Sequence, residues 1–295
     1  MPALRDSIDL GDGRRAAYEV IGDGEPLLYF QGGPGFSAAL LRDEAELLSD
    51  RFAVYLIDPP GSGGSTPPSD PALYDPTGHA HFYAEVSQAL GVGAATIMGT
   101  SFGGIVALTY TSLFRDATTR CISVASRAVG EEVQGDEADA EMEAFLERHS
   151  DQTWYPAARR TLDEWTERVL AADDASEVDE MMAEVLPLYT AHPDRPGVQA
   201  LIEQWRQDGR SDLAAIKVWE SGLWQRIDVR TLLAEIRRPT LVLVGELDAF
   251  CGPAQGRLIA EAVPDAQLVI IPDSGHFIGA EAPEQFRAEI LRFCA

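Results

Sequence analysis

The 295-residue chain carries 23 basic against 48 acidic side chains, a formal net charge of −25, and 45% of its residues are hydrophobic. That apolar fraction supports a folded core and excludes disorder and fibre, and the length fits one large α/β domain with an insertion better than several independent modules. The negative balance repels phosphates, so neither nucleic acid nor an anionic membrane surface is an expected partner.

Cys121, Cys251 and Cys294 are widely spaced and form no CxxC pair, which argues against a disulfide framework or a zinc site. Met1-Pro2-Ala3-Leu4-Arg5-Asp6 is followed by polar residues instead of an apolar h-region, and no later apolar run nears the ~18 residues of a membrane span. The expectation is a cytoplasmic protein needing no metal and no cofactor.

Residues 8–20 alternate around Gly11-Asp12-Gly13 and read as an antiparallel hairpin. Short apolar runs follow at 26–30, 52–57, 95–98 and 121–124, separated by helix-length stretches, the pattern of buried parallel strands joined by βαβ crossovers. The strand signal then lapses for roughly a hundred residues and returns at 240–244 and 267–271. Within the gap, helix-like stretches at 159–171, 177–189 and 198–207 are separated by Pro156, Pro187, Pro193 and Pro196. The predicted architecture is an α/β core, 1–129 and 231–295, with a mostly parallel central sheet and a helical cap, 130–230, inserted between its halves. From Glu131 to Glu184 the cap has eighteen acidic residues and four basic ones, read as solvated helix faces.

Gly99-Thr100-Ser101-Phe102-Gly103 sits between an apolar strand and a helix-forming run. A serine on so tight a strand–turn–helix corner needs small neighbours two residues to either side, and its hydroxyl then projects from the top of the sheet as a nucleophile. It requires a base and a carboxylate to orient that base. Asp248 follows the 240–244 strand and His276 follows the 267–271 strand, which puts both at the same sheet edge as Ser101, in the order nucleophile, acid, histidine. His79, His81, His149 and His192 follow no strand-like run. Gln31-Gly32-Gly33-Pro34-Gly35 follows the 26–30 strand and can present amides to the serine corner, so the expected oxyanion donors are the N–H groups of Gly33 and Phe102. The glycine-rich segment Asp58 to Ser65 lacks the Gly-Lys-Ser/Thr ending of a phosphate loop and reads as structural.

This constellation resembles the α/β-hydrolase fold over nearly the whole chain, and within it the proline iminopeptidase-like serine aminopeptidases. Gly32-Gly33-Pro34-Gly35 is similar to that family's HGGPG loop, and Asp58, Gly61, Gly63 and Ser65 to its DxxGxGxS segment. Gln31 stands where the family has histidine, and Pro59-Pro60 where it has a polar pair. The family binds a free substrate amine with cap glutamates, and Val218-Trp219-Glu220 resembles that position. The resemblance therefore implies Glu220 as the amine anchor, with Trp219 and Gly32 beside it in the substrate-binding set; where some relatives carry a second acid after the triad aspartate, this chain has Ala249. Trp205, Trp224 and Tyr189 are further candidates for an apolar wall, in a cap that also holds Met181 and Met182.

The implied activity is removal of an N-terminal aminoacyl group (proline, alanine or another small residue) from a peptide or small-molecule amide, including a deprotection step in secondary metabolism. The alternative is an esterase, lactonase or thioesterase acting on an amine-free small molecule. A non-catalytic binding protein is the third reading, against which the intact Ser101, Asp248 and His276 speak.

Overall fold

The computed structural model describes residues 6–130, 135–208 and 211–295. The first five residues and Glu131, where the acidic run opens, lie outside them.

β1 (Asp6–Gly11) and β2 (Arg14–Ile21) pair antiparallel around Asp12 and Gly13, both at positive φ, as a tight primed turn requires. β3 (Glu25–Phe30), β4 (Phe52–Ile57), β5 (Ala95–Thr100), β6 (Thr118–Val124), β7 (Thr240–Gly245) and β8 (Ala266–Ile271) follow. Sheet order is β1-β2-β4-β3-β5-β6-β7-β8; only the β1–β2 and β2–β4 pairings are antiparallel. β5 and β7 are buried from end to end, because helices cover both sheet faces, and both therefore read as near-continuous apolar runs.

The first half of the chain supplies α1 (Arg42–Leu48), α2 (Pro76–Ala89) and α3 (Phe102–Leu113). Between β6 and β7 lie α4 (Asp136–Glu147), α5 (Tyr155–Asp163), α6 (Trp165–Ala171), α7 (Ala175–Val185), α8 (Pro196–Asp208) and α9 (Leu213–Val218). The remainder forms α10 (Arg230–Leu233), α11 (Pro253–Ala262), α12 (Ile278–Glu281) and α13 (Pro283–Cys294). Alternate β3 side chains go to opposite faces. Leu28 and Phe30 join Tyr83, Ile105, Leu233 and Ile259 under α2, α3, α10 and α11, whereas Leu27 and Tyr29 join Leu48, Phe286 and Ile290 under α1 and α13.

The helices between β6 and β7 have their own apolar cluster, including Val169, Val178, Met181, Val185, Ile202 and Trp205. Phe36 and Leu40, from the segment after β3, belong to that cluster and fasten it over the C-terminal edge of the sheet. Two of the expected long helices are divided. The 159–171 stretch breaks at Glu164 (φ −96°, ψ 6°) into α5 and α6. The 177–189 stretch ends as α-helix at Val185 and tightens into a 3₁₀ turn over Leu186–Tyr189, because Pro187 has no N–H to continue the ladder. Among the described residues, no helix is long and apolar enough to cross a membrane.

Candidate active site

Because the central strands are parallel, their C-terminal ends share one edge, and the loops leaving β3, β5, β7 and β8 carry Gly33, Ser101, Asp248 and His276 to it. Ser101 has φ 55° and ψ −122°, a conformation that costs a non-glycine residue roughly 1–3 kcal/mol. Its surroundings enforce that geometry. The Ser101 N–H donates to the Val124 carbonyl at 2.9 Å, and its own carbonyl accepts from the Ser126 hydroxyl at 2.8 Å. A Cβ on Gly99 would lie 2.0 Å from the Gly103 carbonyl oxygen, and one on Gly103 2.2 Å from that of Phe30, so both glycines flanking the serine are sterically required.

Gly32 lies against this corner: a Cβ there would sit 2.8 Å from the Thr100 oxygen and 3.0 Å from the Ser101 Cβ. Gly33 has φ 72°, with the Phe36 ring where a side chain would project. α3 begins at Phe102, whose N–H is one of the helix-start donors that have no intrahelical acceptor. The Asp58 loop braces the same region: its carboxylate accepts from the Ser37 hydroxyl (2.9 Å), the Ala38 N–H (3.0 Å) and the Gly64 N–H (2.8 Å). The structural reading of that glycine-rich segment fits these bonds. Gln31 is buried beside the loop, 5% exposed.

His276 Nδ1 is 2.9 Å from Asp248 Oδ2, and both residues are buried. An ionised carboxylate only accepts, so Nδ1 carries the hydrogen and Nε2 is the basic nitrogen. Asp248 Oδ1 takes the N–H groups of Phe250 and Cys251, each at 2.9 Å, which fixes the carboxylate. The histidine loop is held from the other side as well. The His276 N–H donates to the Tyr189 carbonyl at 2.8 Å, and buried Glu281 accepts from Gly275 (3.0 Å) and Ala191 (2.8 Å). Desolvation raises the Glu281 pKa. Of the five histidines, His276 alone lines the adjoining cavity.

That cavity, of ≈ 360 Å³, is walled by Gly32, Gly33, Ser101, Phe102 and His276 on the sheet side and by Trp165, Trp205, Ile216, Trp219, Glu220 and Trp224 from the 165–224 region. Tyr189 and Met182 also face it, whereas Met181 packs within the helical cluster. Glu220 is 9% exposed; its Oε1 accepts from the Trp165 indole N–H (2.9 Å) and its Oε2 from the Thr166 hydroxyl (2.7 Å). The helix break at Glu164 is what turns these two donors toward it. Trp219 packs edge-on against Phe102, ring centroids 4.7 Å apart, linking this wall to the serine corner.

Arg127, Cys251 and Glu44 are among the lining residues absent from the expected site or without a role in it. Arg127, 4% exposed, stacks its guanidinium 4.3 Å over the Trp224 ring; its place just after β6 was a legible signal. Cys251 is buried beside the serine corner, and burial pushes its pKa well up, so it remains a neutral thiol. Glu44, in the first turn of α1, carries no sequence signal for a site. The structure brings together every residue expected to act with Ser101. Among the described residues, no group of three or more potential metal ligands is assembled.

The chain belongs to the alpha/beta hydrolase fold family, whose model matches residues 25–283. It is 24% identical over 287 residues to a proline iminopeptidase of Levilactobacillus brevis, covering 94% of this chain and 92% of that one. It is also 27% identical over 283 residues to a putative carbamate hydrolase of Azorhizobium caulinodans, covering 94% of each. A thermophilic esterase from Thermogutta terrifontis superposes with a TM-score of 0.72 at 26% identity, covering 99% of this chain and 98% of that one.

Proposed function

We propose that this hydrolase acts through Ser101, His276 and Asp248 and removes an N-terminal aminoacyl group from a peptide or small-molecule amide. The observation that carries the reading is the carboxylate of Glu220 in the wall of the cavity that also contains Ser101. A substrate ammonium leaving water needs a negative partner, and a nearly buried carboxylate already oriented by two neutral donors supplies one. Asp163 lines the same cavity, but its side chain is 54% exposed against 9% for Glu220, so the less screened carboxylate of Glu220 is the stronger anchor. The aromatic lining gives the remainder of the substrate an apolar berth, which suits a bulky leaving amine in secondary metabolism as well as a peptide.

In the first half-reaction the Ser101 oxygen attacks the acyl carbon while its proton passes to His276 Nε2, and Asp248 stabilises the imidazolium. The N–H groups of Gly33 and Phe102 hold the oxyanion. His276 returns the proton to the leaving nitrogen as the C–N bond breaks, leaving an acyl ester on Ser101. Water then gives its proton to His276 and attacks that ester; expulsion of the serine oxygen, reprotonated by His276, frees the acyl group.

Relatives named as a carbamate hydrolase and an esterase keep an amine-independent reading in play. The test is a panel of prolyl, alanyl and glycyl anilides, the same compounds N-acetylated, and simple acyl esters, with Ser101→Ala as control. Turnover restricted to the free-amine anilides and abolished in the control is the expected result. Turnover of esters alone, or indifference to acetylation, would remove the amine-recognition step and leave an esterase.

A further inference from the structure

Glu44 is a further carboxyl lining the active-site cavity, from the helix after β3 and not from the 165–224 wall that holds Glu220. It sits in the first turn of α1, lines the cavity with Thr100, Ser101 and His276, and accepts a hydrogen bond from the Tyr29 hydroxyl. Tyr29 is fully buried on β3, and its hydroxyl is 2.6 Å from the Thr100 hydroxyl, one residue before Ser101. A continuous chain therefore runs from Glu44 through Tyr29 to the strand end that carries the nucleophile. Gly279, three residues after His276, lies against the Glu44 side chain so closely that a Cβ there would come within 2.4 Å of its Cγ and Oε1.

We infer that Glu44 is a positioning residue for His276: ionised, it places a negative charge beside the imidazolium that forms as Ser101 gives up its proton, and Tyr29 sets the pH at which that charge appears. The inference rests on the serine-nucleophile reading above.

The charged and titratable groups around Glu44 are few. Burial and Asp43, its neighbour in α1, favour the protonated carboxyl, whereas the Tyr29 hydrogen bond and the charge of His276 favour the carboxylate. Of the other charged groups on the helices packed against α1, Glu284 opens α13, and Glu289 and Arg292 pair with each other. Arg287 of α13 binds the Leu47 carbonyl and Asp50, and Glu281 of α12 binds the backbone of Gly275 and Ala191. The balance leaves the Glu44 pKa at about 7, raised from 4.5 with desolvation as the largest cause, so its charge changes near neutral pH. A full charge in the wall of the same partly solvated cavity, interacting with the imidazolium, is worth about a fivefold change in rate.

The probe is the rate at which a fluorophosphonate labels Ser101 from pH 5 to 9, a readout of nucleophile activation that needs no knowledge of the substrate. Wild type, E44Q and Y29F are compared, with a thermal melt to establish that each is folded. E44Q should lower the alkaline plateau about fivefold and move the rising limb to lower pH, since the imidazolium loses its anionic neighbour. Y29F retains the carboxyl but loses the bond that favours its ionised form, so part of the rising limb should move to higher pH. Opposite displacements of the two limbs support the assignment, and if E44Q does not fold the upward move in Y29F carries it alone. Superimposable profiles overturn it, as does a uniform loss with unchanged shape, which is what a purely structural role gives. Failure of wild type to label at any pH would instead overturn the nucleophile reading and this inference with it.

Discussion

Glu220 separates an aminopeptidase from an esterase, and two substitutions there separate charge from packing. Glu220→Gln keeps an oxygen for the Trp165 indole N–H, now 2.9 Å away, and an amide for Thr166, so its stability should stay within about 1 kcal/mol of wild type. Glu220→Ala removes the acceptor of both bonds, but Trp165 is only half-buried and Thr166 is exposed and can turn to water, so stability should fall by about 1–2 kcal/mol. The catalytic consequence is different. A hydrogen bond between an ammonium and a buried carboxylate contributes about 1.5–3 kcal/mol, which converts to a loss of about 10- to 150-fold in kcat/KM. With Glu220→Gln that loss should fall on free-amine anilides and spare acyl esters and N-acetylated analogues. The assay is kcat/KM for matched pairs with and without the amine, alongside urea unfolding of each variant. Equal losses on both substrate types, or none on either, would refute the anchoring role of Glu220.

Three other outcomes follow from the same geometry. Gly103→Ala drives a methyl group into the Phe30 carbonyl at the end of a central strand, where nothing can yield cheaply; it should cost about 1–3 kcal/mol or more and abolish Ser101 labelling, read by denaturant melts and a serine probe. Asp248→Asn preserves the shape of the pair but removes the acceptor that fixes Nδ1–H at 2.9 Å, and should reduce kcat by about 10³–10⁴ with KM little changed. His79 is buried against Phe102 with its pKa lowered to about 4, chiefly by desolvation. The unfolded state therefore takes up this proton first as pH falls: His79's contribution is fully present above about pH 6.5 and is lost progressively toward pH 4, up to about 3 kcal/mol. Glu44, with its raised pKa, acts in the opposite sense between about pH 4.5 and 7, so the comparison must be wild type minus His79→Gln in urea unfolding at pH 7, 6, 5 and 4. A difference that does not change with pH would refute the buried, neutral state of His79.

Much of the site could be read from order along the chain, because parallel strands turn sequence position into spatial position. A residue just past the C-terminal end of such a strand arrives at the shared edge whatever the loop does, and Ser101, Asp248, His276 and Gly33 all have that placement. The flanking glycines were legible for the same reason: the turn they permit is local, and Gly99 and Gly103 each touch backbone only a few residues or one strand away. Helix ends in the inserted segment were less legible. Nothing in the local pattern marks the break at Glu164, which separates two good helical stretches and brings Trp165 and Thr166 round to Glu220.

What the sequence determined by itself is therefore the hydrolase architecture and the strand-end placement of Ser101, Asp248, His276 and the loop that carries Gly33, since each depends on short-range pattern and chain order. What only the tertiary structure decided is the electrostatic content of the cavity. Glu44, Arg127 and Glu220 come from a helix after β3, the exit of β6 and the segment before β7, and no periodicity connects them. Their orientation depends on partners distant in the chain, Tyr29 for Glu44, Trp224 for Arg127 and Trp165 for Glu220, and the protonation of Glu44 depends on its burial. Desolvation and long-range hydrogen bonding are properties of the assembled surroundings, and so they become readable only once the chain has folded.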